Sequence, residues 1–91
     1  MAKIANHLIT YDLIKHKDYP ELIGALQQYN YWHCLGSVWI VKSDATSEAI
    51  ANALLPHVDA DDKLIVCKLT GEAAWTKSFP ENCKKWLNEN L

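Results

Sequence analysis

Hydrophobic positions along the chain alternate between two periods, and the switches between them mark the elements. Residues 6–13, Asn-His-Leu-Ile-Thr-Tyr-Asp-Leu, are short and rich in β-branched and aromatic types, which predicts a first strand. The polar connector Ile14-Lys15-His16-Lys17 follows. Asp18-Tyr19-Pro20-Glu21 then supplies an acid in the cap position, a first-turn proline and an acid three residues on, the pattern of a helix start. Leu22, Ala25, Leu26 and Tyr29 fall at i, i+3, i+4 and i+7, so this helix has one apolar stripe to lay on a sheet. Two strands over 31–35 and 37–42 meet at Gly36 and read as a hairpin. The capping-rich segment 43–48 opens a second helix with Ala49, Ile50, Ala53 and Leu54 on one face, ending near Pro56. After the acidic turn 59–62, residues 63–69 form a fourth strand. Ser78-Phe79-Pro80-Glu81 repeats the helix-start pattern, and Cys83, Trp86, Leu87 and Leu91 make a last stripe.

The order is βαββαβ plus a C-terminal helix. It predicts a single α+β domain over 1–91, a ferredoxin-like βαββαβ sandwich with its core at about 6–70 and an added helix at about 79–91. The strands that begin at Val38 and Leu64 are apolar at consecutive positions, so both of their faces are expected to be buried. Two helices cover only one face. The C-terminal helix or a second copy of the sheet must cover the other, and a homodimer is expected.

Composition narrows the function classes. With 91 residues, 49% hydrophobic and 22% charged, the chain must pack a core, and it is just above the size at which domains need staples. No apolar run approaches the roughly 20 residues that span a bilayer, so no membrane association is expected. The segment 1–6 lacks the apolar centre of a signal peptide, which points to the cytoplasm. The net charge is −2 and all nine cations are lysines. Tight general binding to DNA is therefore not expected, since arginine is the residue suited to bidentate phosphate and guanine contacts. Cys34, Cys67 and Cys83 fit no zinc spacing and are expected to be reduced, with Cys67 a small buried hydrophobe.

Few residues carry chemistry. Asp12 ends the first strand among apolar neighbours, where an acid needs a turn, a charge partner or a cation. Capping the turn is the plain reading, and a metal ligand or base is the functional one. Of the four tryptophans, Trp39 and Trp86 follow the core pattern, whereas Trp32, beside His33, and Trp75 are open to stacking or interface roles. His16 lies close behind Asp12 in an exposed loop. The stretch Gly71-Glu72-Ala73-Ala74-Trp75 either connects elements or forms a dimer edge.

The first strand ending in Thr10-Tyr11-Asp12-Leu13, the hairpin arm Val38-Trp39-Ile40-Val41-Lys42 and the strand Lys63-Leu64-Ile65-Val66 together resemble the CRISPR-associated protein 2 superfamily. That group includes VapD-type ribonucleases and small Cas-like proteins labelled SinR family. The SinR-labelled members are the nearest in pattern, sharing a stretch like Gly71 to Trp75, and the likeness spans about residues 6–70. It implies a Cas-like homodimer that binds RNA or a nucleotide and, in its nuclease members, cleaves RNA with Mg²⁺ or Mn²⁺ held by paired aspartates. Only Asp12 carries over, as catalytic residue and metal ligand, with Tyr11, Lys15, His16, Lys17, Trp32, His33 and Trp75 as binding candidates. The absence of arginine and the helix in place of a final strand depart from that pattern. The alternative is a non-catalytic, antitoxin-like or defence-related module that docks a protein partner through Trp32, Trp75 and the C-terminal helix.

Overall fold

The computed structural model describes residues 3–15 and 19–91. Four strands and three α-helices follow the order β1 (Ala5–Asp12), α1 (Pro20–Leu26), β2 (Asn30–Leu35), β3 (Val38–Ser43), α2 (Ser47–Leu54), β4 (Lys63–Lys68) and α3 (Glu81–Asn90), with a 3₁₀ turn at Leu55–His57 after α2. The strands form one antiparallel sheet in the order β2-β3-β1-β4. No described helix is long and apolar enough to cross a membrane.

Strand alternation divides the sheet into two faces. On β1, His7, Ile9 and Tyr11 are buried on the first face, and Leu22, Leu26, Ile50 and Leu54 of α1 and α2 close over it with Trp39 and Val41. Two local devices position these helices. Thr46 caps α2 by accepting the Ala49 N–H at 3.0 Å. Pro20 opens α1 at its first position, but no side chain caps that helix, and the expected cap Asp18 lies outside the described residues. Likewise α3 starts after Pro80 with no side-chain cap, so Ser78 does not play that part.

The second face belongs to Leu8, Thr10 and Asp12 of β1, Val38 and Ile40 of β3, and Ile65 and Cys67 of β4. There α3 covers the β2–β3 half, burying Trp32 and Ile40 beneath Cys83 and Leu87. Of the two expected covers, the C-terminal helix is the one seen here. The β1–β4 half stays open. Ile65 is 57% exposed and Cys67 is exposed, so β4 is not buried on both faces, contrary to the pattern of its sequence. The reason is positional: β4 is an edge strand, and α3 lies over β2 and β3 and touches β1 at Asn6. The expectation for β3 is met, with Trp39, Ile40 and Val41 all buried.

The cysteine expectation is overturned. Cys34 of β2 and Cys83 of α3 form a disulfide, and the free thiol Cys67 is at the surface. Spacing along the chain could not reveal that pair, because the two sulfurs meet only once α3 is laid on β2.

Candidate functional site

Asp12 is the last residue of β1, exposed, on the open half of the second face. Lys63 faces it in register on β4. Its neighbour Tyr11 points to the opposite face, where its hydroxyl accepts a 3.0 Å hydrogen bond from Trp39 Nε1 deep in the core. Tyr11 is therefore a packing residue and does not line a site with Asp12.

The other candidates scatter. Lys15 is exposed and its ammonium lies 3.1 Å from Asp59, while His16 and Lys17 lie outside the described residues. Trp32 is buried, and its indole N–H donates to the Cys83 carbonyl at 3.2 Å, which removes it as an exposed stacking platform. His33 stacks on Trp39 at 3.8 Å between ring centroids and its Nε2 sits 2.8 Å from the Gly36 carbonyl oxygen, so it shields the core edge and fixes the hairpin. Trp75 is half-buried and packs against the cluster under α3. Asp12 and Trp75 are thus both tied to the second-face side, whereas Tyr11 and His33 serve the first.

Three arrangements were missed by sequence reasoning. The first is an apolar cavity of about 390 Å³ on the second face, walled by Leu8, Ile40, Trp75, Phe79, Leu87 and Leu91. The chain enters its rim at Gly71, whose φ of +99° is open to glycine and strained for other residues. That turn carries Glu72 to Thr76 along the cavity, which gives the Gly71–Trp75 stretch a structural purpose.

The second is a carboxylate hub at Asp62. It accepts the Ile14 N–H at 2.9 Å, the Asp59 N–H at 2.7 Å and the Tyr19 hydroxyl at 3.3 Å, joining the loop after β1 to the turn before β4. Partial burial pushes the Asp62 carboxyl up, but these bonds outweigh it and hold the group below its usual range. The spacing Asp59-x-x-Asp62 in the acidic turn was the available signal.

The third is His7, 1% exposed, with Nδ1 3.0 Å from Ser47 Oγ at the start of α2. Its Nε2 is buried without a hydrogen bond of good geometry, although the Ser43 and Ala45 backbone lies near enough to favour the charged ring. Desolvation is the larger effect and, helped by Lys68, pushes the pKa below the ordinary 6.5. A lowered folded pKa means that the unfolded chain takes up its proton first on acidification. Full stability is present above about 6.5 and is lost as pH falls through the folded value. Denaturant midpoints are therefore expected to fall between pH 7.5 and 5.5, and His7→Gln to flatten that slope. An equal slope in the variant would show that His7 is not its source.

In all, the described residues contain no group of three or more His, Cys, Asp or Glu side chains placed to hold a metal ion. No family model, curated protein or solved structure matches the chain.

Proposed function

We propose that the chain is a ferredoxin-like, Cas-like protein that pairs as a homodimer in the cytoplasm and binds RNA or a nucleotide through the second face of its sheet. The strand order β2-β3-β1-β4, with β1 and β3 central and every pair antiparallel, supports the ferredoxin-like reading. The observation that carries the functional reading is Asp12, held at the end of the central strand β1 and exposed on the open half of that face.

Among the described residues a single chain presents Asp12 there, in register with Lys63, and no group of three or more ligand side chains is placed for a metal. Pairing would bring a second Asp12 to the first, and Mg²⁺ and Mn²⁺ are commonly held by one or two carboxylates, with waters and substrate phosphate oxygens completing the shell. When bound, such an ion would neutralise phosphate charge and favour hydroxide over water. The chain's own part is to present the two carboxylates on a rigid strand and to offer Lys63 as a phosphate contact. With a net charge of −2, binding is expected to be weak and to fade with salt.

The test is thermal melting of wild type and Asp12→Asn at neutral pH, with chelator and with Mn²⁺, alongside sedimentation at micromolar concentration. Two close carboxylates repel, so without metal the Asn variant should melt higher. Added Mn²⁺ should raise wild type by several degrees and leave the variant unchanged. A monomer throughout, with neither protein responding to metal, would remove the ribonuclease reading.

The cavity favours a second reading, the non-catalytic interaction module, because Trp75 and Phe79 line an apolar recess of ligand-accepting size. In that case Trp75→Ala abolishes partner binding and Asp12→Asn does not.

A further inference from the structure

We propose that the Cys34–Cys83 disulfide is a redox latch: it holds α3 over the β2–β3 half of the second face, and a dithiol reductant frees α3 while the sheet, α1 and α2 stay folded. The inference does not rest on what the second face binds.

The two cores make α3 separable from the rest of the fold. The cluster of Ile9, Leu22, Leu26, Trp39, Ile50 and Leu54 lies wholly on the first face and contains nothing from α3. Releasing α3 takes from the fold only the smaller cluster of Trp32, Ile40, Cys83 and Leu87. The segment leading to α3 is held through side chains, Trp75 and Phe79 packing on the second-face cluster, while among the described residues no backbone–backbone hydrogen bond ties 70–79 to the sheet. The last such bond before it runs from the Leu69 N–H to the Asn6 carbonyl.

What anchors α3 is short and concentrated. Near its start stand the disulfide and the bond from the Trp32 indole to the Cys83 carbonyl. At its far end Asn6 Nδ2 donates to the Asn90 carbonyl at 2.6 Å and Lys42 Nζ to Asn90 Oδ1 at 2.9 Å. Between them only Leu87 is fully buried. A ten-residue helix is too short to persist in water without such anchors. Of these anchors, the covalent one is the one that a reductant removes.

The two sulfurs are also unequal in a way that suits opening. Cys34 is half-buried whereas Cys83 is buried, so an incoming thiolate reaches Cys34 more readily. Cys83 is the third residue of α3, so the helix start favours it as the departing thiolate. One reductant thiolate attacks Cys34 Sγ, the S–S bond breaks, and Cys83 leaves with the electron pair. The second reductant thiol then attacks the reductant sulfur of the mixed disulfide and expels the Cys34 thiolate. The reductant ends as a disulfide, having given two electrons, and its two thiol protons end on Cys34 and Cys83. In a reducing compartment, where disulfides are transient and often sensory, this would expose Trp32, Ile40 and the cavity wall.

The experiment is amide hydrogen exchange on the full chain carrying Cys67→Ser, which prevents the free thiol from reshuffling, compared before and after dithiothreitol. On reduction, exchange within Glu81–Asn90 is expected to accelerate about a hundredfold, while β1, β3, α1 and α2 change by less than about threefold. The unreduced variant with Cys34→Ser and Cys83→Ser added should match the reduced protein. The latch is overturned if α3 changes less than about threefold, or if every element loses protection together. Failure of the added-serine variant to fold counts against it equally, since the bond would then staple the whole domain.

Discussion

Replacing Trp39 with alanine is expected to lower the unfolding free energy by about 3–5 kcal/mol, the usual cost of emptying a fully buried aromatic site. Trp39 is 0% exposed and sits on the central strand β3, roofed by the rings of His33 and Tyr31 at centroid distances of 3.8 and 5.2 Å. Its removal would leave a void in the first core and take from the Tyr11 hydroxyl the indole N–H that now donates to it. Trp39→Phe keeps much of the volume and loses the donor, so it should cost less, about 1–2 kcal/mol. Urea unfolding of the three proteins gives both numbers. Equal midpoints for wild type and alanine would mean that the core does not close around this ring.

The second large effect is expected from the disulfide. Joining residues separated by 49 positions restricts the unfolded chain by about 4 kcal/mol in the loop-entropy picture. Because α3 and the first core lie on opposite faces, that loss should fall on the docking of residues 70–91 before it falls on the rest. Fluorescence can separate the two, since Trp32 and Trp86 pack at α3 and Trp39 in the first core. A variant with Cys34→Ser and Cys83→Ser should show the α3 tryptophans changing at lower urea than the far-ultraviolet signal of the sheet. Coincident transitions at an unchanged midpoint would contradict this placement of the bond.

The strands and helices were legible because their patterns are set by burial on one face. The apolar residues of α1 at i, i+3 and i+4 pack as expected, and the capping run before α2 does place Thr46 at its start. Even His7 was readable in principle, since it shares its parity on β1 with Ile9 and Tyr11 and must therefore be buried with them. What sequence could not supply was the partner of each surface. The continuous apolar run of β4 suggested two buried faces, yet its position at the sheet edge leaves Ile65 and Cys67 in solvent. Trp32 looked free because nothing in its own strand said that α3 would cross it, and the same ignorance hid the pairing of Cys34 with Cys83. For the site, the exposure of Asp12 at a strand end was legible, but the cavity was not, because its walls come from β1, β3, α3 and the loop after Gly71.

The position of β1 between β3 and β4 also governs how this chain can reach its fold. The hairpin of β2 and β3 is the one local pairing in the sheet, and it can close within microseconds. Consolidating β1 against β4 instead requires residues such as His7 and Lys68, about sixty positions apart, to find each other. That loop-closure cost comes before the contacts reward it. Refolding is therefore expected on the millisecond timescale or slower, and it should be more sensitive to substitutions in β1 than in the β2–β3 turn.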